Sequence, residues 1–130
     1  MRIGIIGAGQ LGQMLGFAAR NLNAECRYLD PSENPPAAVC GKVIQSSFDD
    51  AVALVALADS CDVITYEFEN VPVSALQHID GIVPVYPPAA ALRHSQDRLA
   101  EKTLFDTLKI PLPGYHTVDT RKDLDDAAEN

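Results

Sequence analysis

The sequence predicts an α/β domain with a five-stranded, mainly parallel sheet flanked by helices. Three observations carry this. Short apolar runs alternate with helix-period segments along the first two-thirds of the chain. A glycine-rich turn, Gly7-Ala8-Gly9-Gln10-Leu11-Gly12, links the first run to the first helical segment. A second turn, Tyr66-Glu67-Phe68-Glu69-Asn70-Val71-Pro72, places two carboxylates just after a later run.

The first strand spans 2–7, with Ile3, Ile5, Ile6 and almost no polarity. The helix over 10–22 carries Leu11, Leu15, Ala18, Ala19 and Leu22 on one face, which is expected to pack inward. A second strand covers 25–30, and Asp30-Pro31 and Pro35-Pro36 mark the loop after it. A third strand covers 42–46. Ser47 or Asp49 is placed to cap a helix over 50–58. The fourth strand, 62–66, centres on Val63 and Ile64, and Pro72 suits the first turn of a helix over 73–79. A fifth strand covers 83–86. Pro87-Pro88 then leads into a short helix through Leu92, and Ser95 is placed to cap a longer one over 97–108. Pro111-Leu112-Pro113-Gly114 breaks the rhythm; a fresh strand over 115–118 and a helix over 123–129 are expected beyond it. The chain therefore divides into an α/β domain over 1–108 and, over 109–130, a linker with the opening of a second domain. Strand–helix alternation of this kind calls for right-handed crossovers and a Rossmann-like arrangement.

At 130 residues and 47% hydrophobic content the chain can bury one core. No apolar run nears the ~18 residues of a membrane span, and the run after Arg2 is too short for a secretory leader. Eighteen acidic against ten basic residues leave a formal charge of -8. Such a surface repels phosphate backbones, so nucleic acid is not an expected partner. Cys26, Cys40 and Cys61 share no metal-ligand spacing. An odd count without a leader points to reduced thiols in a cytoplasm, packed as small hydrophobes.

Strand, glycine turn and helix in that order give the first motif its physical content. Gly7 allows a tight turn, Gly9 lets backbone approach a ligand, and Gly12 lets helix and strand close up. Free N–H groups at the helix start attract an anion or a polar group. Two other readings stay open: the glycines serve helix–sheet contact alone, or the loop holds a nicotinamide dinucleotide. For the latter, Asp30 ends the second strand where a ribose-binding acid would lie, though it is equally placed to start a turn at Pro31. Glu67 and Glu69 follow the fourth strand, at the sheet edge where open α/β folds bind ligands. A carboxylate there accepts hydrogen bonds from ligand hydroxyls or amines, or else caps the next helix or faces water. Arg93, His94, Arg98 and Lys102 gather positive charge, Arg98 and Lys102 being one helical turn apart. They meet phosphate, or pair with Asp97 and Glu101 on a solvated face. His78, His94 and His116 lack partners at ligand spacing and fit structural or surface roles.

Three stretches resemble a known family. Ile5-Ile6-Gly7-Ala8-Gly9-Gln10-Leu11-Gly12, Asp62-Val63-Ile64-Thr65-Tyr66-Glu67-Phe68-Glu69-Asn70-Val71-Pro72 and Ser95-Gln96-Asp97-Arg98-Leu99-Ala100-Glu101-Lys102 are similar, in order, to the N-terminal region of the 5-(carboxyamino)imidazole ribonucleotide synthases. These are ATP-grasp carboxylases of bacterial and fungal purine biosynthesis. The likeness extends over essentially the whole chain, and the run from Tyr66 to Pro72 is its most specific part. The resemblance implies a pre-ATP-grasp domain and a reaction in which ATP and bicarbonate form carboxyphosphate. Carboxyphosphate then carboxylates the exocyclic amine of 5-aminoimidazole ribonucleotide. It further implies that Gly9, Gln10 and Leu11 lie against the ribonucleotide, that Glu67 sits near its amine or ribose, and that Arg98 contacts ATP. Members commonly form homodimers. The family's ATP clamp, nucleotide lysine and Mg²⁺-binding acids lie outside the matched stretches. ATP and Mg²⁺ are therefore expected of the full-length enzyme, no catalytic or metal residue is assigned here, and these 130 residues alone are expected to be inactive. A nicotinamide-binding oxidoreductase domain and an assembly module without chemistry stand as alternatives.

Overall fold

Four parallel strands form the sheet, in the order β3-β2-β1-β4: β1 Arg2–Ile6, β2 Glu25–Asp30, β3 Gly41–Gln45 and β4 Val63–Tyr66. The computed structural model describes residues 1–129 and divides into two compact units, Met1–Arg93 and a smaller one from His94 onward. The sheet belongs to the first. Successive side chains of a strand point to opposite faces, and each face has its own core. Ile5, Cys26 and Tyr28 pack with Ala8, Ala19 and Ala37. Ile6, Leu29 and Ile64 pack with Leu54, Leu57, Leu76, Ile79 and Leu92. Helices α1 (Gln10–Asn21), α2 (Ala51–Asp59) and α3 (Val73–Gln77) follow β1, β3 and β4, with a 3-10 turn at Pro36–Val39. Helix α4 is Ala89–Gln96.

The sheet has four strands where the sequence predicts five. Residues 83–86 contribute one bridge, Ile64 to Val85, made by Ile64 N–H to the Pro84 carbonyl and Tyr86 N–H to the Ile64 carbonyl, each at 2.9 Å. Pro84 has no N–H to offer, and Pro87 and Pro88 stop the segment from extending the ladder.

Helix α1 also differs from expectation. Of the face expected to be buried, only Ala19 is; Leu11, Leu15, Ala18 and Leu22 are exposed. The buried stripe is instead Gly12, Gly16 and Ala19. A Cβ on Gly16 would run into the Tyr28 hydroxyl, which donates to the Gly12 carbonyl at 3.1 Å. Helix backbone and strand side chain thus touch directly, and only small residues allow it.

The cap of α2 falls one residue later than expected, on Asp50. Its carboxylate accepts from Val52 N–H at 2.9 Å and Ala53 N–H at 3.1 Å, and the Ser46 hydroxyl donates to it at 2.5 Å. The Ser46 hydrogen bond, with those N–H groups, holds the Asp50 carboxyl below the usual carboxylate range.

The second unit contains α5 (Arg98–Thr107) and α6 (Arg121–Ala128). Asp97, not Ser95, caps α5 by accepting from Ala100 N–H at 2.7 Å. Thr120 and Asp123 form a reciprocal capping box on α6. Residues 115–118 form no strand: they follow Pro111 and Pro113, and a strand needs a neighbour to hydrogen-bond.

Candidate functional site

The glycine loop leaves β1 at the carboxyl edge of the sheet and is tied down residue by residue. Gly7 N–H donates to the Leu29 carbonyl at 2.8 Å, which extends the β1–β2 pairing one step. Ala8, fully buried, donates its N–H to Asp30 Oδ2 at 2.8 Å and accepts at its carbonyl from Ala37 N–H at 2.9 Å. Asp30 itself is only 7% exposed. Its other oxygen accepts from Ser32 N–H at 2.9 Å, so it does start the turn at Pro31. Buried as it is, with a backbone N–H on each oxygen, it is not left for a dinucleotide ribose.

Glu67 completes the loop. Its backbone N–H donates to the Ile6 carbonyl at 3.1 Å, which prolongs the β1–β4 pairing and turns its side chain onto the glycines. Oε1 accepts from Gly9 N–H at 2.9 Å, and Oε2 accepts from Gly12 N–H. Gly9 is the N-cap of α1 and has no side chain to cap with. One carboxylate, 55 residues distant from Gly12, therefore makes both bonds of a capping box, to the N-cap and to the third helical residue. Such capping contributes about 0.5–2 kcal/mol.

The three glycines share one spatial reason. A Cβ on Gly9 would lie 2.8 Å from Glu67 Oε1, and one on Gly12 would lie 2.9 Å from Glu67 Oε2. A Cβ on Gly7 would overlap Glu67 Cγ, and Gly7 also has φ +102°, a conformation L side chains resist. The motif is a bed for the Glu67 side chain. That occupancy, with Asp30 already committed, removes the dinucleotide reading of the loop: the N–H groups that would face a pyrophosphate already face a carboxylate.

What stays available lies beside Glu67. Gln10 and Leu11 are exposed, Leu11 at 56%, and their backbone N–H groups have no partner among the described residues. They form an open shelf at the start of α1. A separate cavity of about 450 Å³ in the first unit, bordered by Leu76, Ile82, Val83, Val85 and Ala89, involves none of these residues.

The other sequence-predicted residues fall elsewhere. Glu69 is exposed and accepts from the Asn70 side chain at 3.1 Å. Arg98 belongs to the second unit, where its guanidinium pairs with Glu101, and Lys102 stands 4.7 Å over the Tyr115 ring. His78, His94 and His116 are all exposed. Burial pushes the Cys26 and Cys61 thiols up. Among the described residues no group of three or more His, Cys, Asp or Glu stands together to hold a metal. No described helix is long and apolar enough to cross a membrane. Sequence reasoning missed the clamp on Ala8; its one local signal was a carboxylate ending an apolar strand directly before proline.

Residues 1–96 match the RS_preATP-grasp-like family, the ribonucleotide synthetase preATP-grasp domain. The chain is 43% identical over 128 residues to the N5-carboxyaminoimidazole ribonucleotide synthase of Pseudomonas aeruginosa, covering 98% of this chain and 36% of that protein. The crystal structure of N5-carboxyaminoimidazole ribonucleotide synthetase from Thermus thermophilus superposes with a TM-score of 0.89 at 46% identity, covering 98% of this chain and 35% of that one. The Aspergillus clavatus synthase in complex with ADP and 5-aminoimidazole ribonucleotide superposes with a TM-score of 0.84 at 29% identity, covering 98% and 35%. The chain thus spans about a third of the length of the relatives it matches. A parallel sheet, a glycine loop at its carboxyl edge and this agreement along the sequence place the chain in the ribonucleotide synthetase preATP-grasp domain family.

Proposed function

We propose that the chain is the N-terminal substrate-binding domain of a 5-(carboxyamino)imidazole ribonucleotide synthase. The full-length enzyme would use ATP and bicarbonate to carboxylate the exocyclic amine of 5-aminoimidazole ribonucleotide in purine biosynthesis. The observation that carries this reading is the Glu67 carboxylate seated on Gly9 and Gly12, beside the exposed N–H groups of Gln10 and Leu11. In this reading Gly9, Gln10 and Leu11 lie against the ribonucleotide and Glu67 accepts from its amine or its ribose hydroxyls. Arg98 contacts ATP. The solved relatives bound to ADP, ATP or 5-aminoimidazole ribonucleotide support these ligands.

The proposal extends to the rest of the enzyme. Phosphoryl transfer needs a metal and positioned cations, and Mg²⁺ would be bound by residues outside these 130. The α/β domain would run over 1–108, with 109–130 leading into an ATP-grasp domain. A homodimer and a cytoplasmic setting complete the reading, the latter supported by three unbridged cysteines.

Calorimetric titration tests it. The 130-residue chain should bind 5-aminoimidazole ribonucleotide saturably, ignore NAD⁺, and show no bicarbonate-dependent ATP turnover. Saturable NAD⁺ binding with no response to the ribonucleotide would refute the assignment.

A further inference from the structure

We infer that Cys26 and Cys40 form a redox-active dithiol, a modification site at which hydrogen peroxide links them into a disulfide. The two thiols reach one spot from different elements. Cys26 lies on β2, in register with Gly41, the first residue of β3. Cys40 directly precedes Gly41, so strand spacing and the Cα step set the two cysteine Cα atoms about 6 Å apart, inside the span a disulfide bridges. An extended Cys40 would point away from Cys26, to the opposite face of the sheet. Cys40 instead closes the 3-10 turn with φ -103° and ψ -21°, and it packs against the same core as Cys26. Its Sγ lies 3.1 Å from where a Cβ on Gly16 would stand, and it shares that space with the Tyr28 hydroxyl. Tyr28 follows Cys26 by two residues on the same face of β2, and its hydroxyl stands beside the Cys26 thiol. The third cysteine, Cys61, packs in the core of the other face.

Access to solvent assigns the two thiols their roles. Cys40 is half-buried, whereas Cys26 is 6% exposed and burial pushes its thiol pKa up. A cavity of about 340 Å³ at the amino ends of β2 and β3 is bordered by both. Hydrogen peroxide entering it meets Cys40 first. The Cys40 sulfur attacks one peroxide oxygen, the O–O bond breaks, water leaves with the thiol proton, and Cys40 becomes a sulfenic acid. The Cys26 sulfur then attacks Cys40 Sγ, the S–O bond breaks, and a second water leaves with the Cys26 proton. Two electrons pass from the sulfurs to the peroxide, and a dithiol reductant reverses the link. The pair is tied to the start of α1: the Cys40 thiol donates to the Gln13 carbonyl at 3.6 Å and the Tyr28 hydroxyl to the Gly12 carbonyl at 3.1 Å. Oxidation removes the thiol donor from that turn.

The test treats the folded 130-residue chain with a molar excess of hydrogen peroxide, blocks the remaining thiols with iodoacetamide in denaturant, and maps tryptic peptides by mass spectrometry. Of the three free thiols only that of Cys61 should survive, and peptides 21–27 and 28–42 should be joined within a monomer. Dithiothreitol should restore all three. In Cys26→Ser the bridge should be absent, and Cys40 should accumulate sulfenic acid that dimedone traps. Three surviving thiols in the treated parent overturn the inference. So do a bridge to Cys61, a disulfide found only between two copies, and a parent Cys40 that stops at the sulfenic acid. A bridge that forms in urea but not in the folded chain, as judged by circular dichroism, overturns it as well. Should Cys26→Ser lose its folded spectrum, Cys26→Ala is read by the same criterion.

Discussion

Two carboxylates hold one loop, from opposite sides and with different consequences. Asp30 ends β2 and Glu67 follows β4, the two strands that flank β1, and both accept backbone N–H groups from Gly7–Gly12. Asp30 is buried, and its oxygens serve Ala8 and its own turn at Ser32. Glu67 is half-buried, and its oxygens serve the start of α1 beside the exposed Gln10 and Leu11. The same chemical group thus does internal work at one strand end and meets the surface at the next. What separates them is water: a buried carboxylate with both oxygens taken can only hold the fold, whereas a half-exposed one can also receive a ligand.

The sharpest way to break this contrast is to remove each carboxylate in turn. Asp30→Ala leaves the Ala8 N–H buried without an acceptor, and urea denaturation should show a loss of up to about 3 kcal/mol. Gly7→Ala attacks the loop from beneath Glu67, through both its positive φ and the overlap with Cγ, and should lose about 2 kcal/mol. Combined with Glu67→Ala, the second loss should shrink, because the overlapping side chain is gone; strict additivity would mean that the two residues do not share the space assigned to them. Glu67→Gln keeps the shape of the cap, and its amide oxygen can still serve one N–H, so about 1 kcal/mol is expected. Ribonucleotide affinity should fall more in that variant than stability does. A greater stability loss for Glu67→Gln than for Asp30→Ala would reverse the comparison. The smallest effect belongs to Arg98→Ala, within about 0.5 kcal/mol, since an exposed pair with Glu101 contributes little. An unchanged dependence on ATP in the full-length Arg98→Ala enzyme would return Arg98 to a solvated role.

Much of the frame was legible in the residues. The runs Ile3-Gly4-Ile5-Ile6 and Val63-Ile64-Thr65-Tyr66 became β1 and β4, and Gln10 to Asn21 became helix as its period required. Helix α2 was legible as a helix, and its leucines pack inward as expected of its Val and Leu residues, whereas Val52 is 80% exposed and Ala53 and Ala58 fill the buried face with Leu54 and Leu57. The buried face of α1 was not legible, because the helix carries two stripes of helical period. The stripe of leucines is the more hydrophobic, but the stripe of Gly12, Gly16 and Ala19 is the thinner, and Tyr28 leaves room only for the thin one. Residues 83–86 have strand composition, yet Pro84 denies them a ladder. At the site, the glycines and Glu67 were each visible as features, while their contact was not.

The order of strands and helices was written in the chain itself, because periodicity and turn chemistry are properties of neighbouring residues. So was membership of a family, through the run from Tyr66 to Pro72. Folding in three dimensions settled which face of α1 turns inward, which strand-like segment pairs, and that Glu67 comes to rest on the three glycines that follow β1. The bonds that make the site join residues 58 and 55 positions apart. Close approach of that kind depends on how β1 and β4 lie side by side, and no local stretch of residues records it.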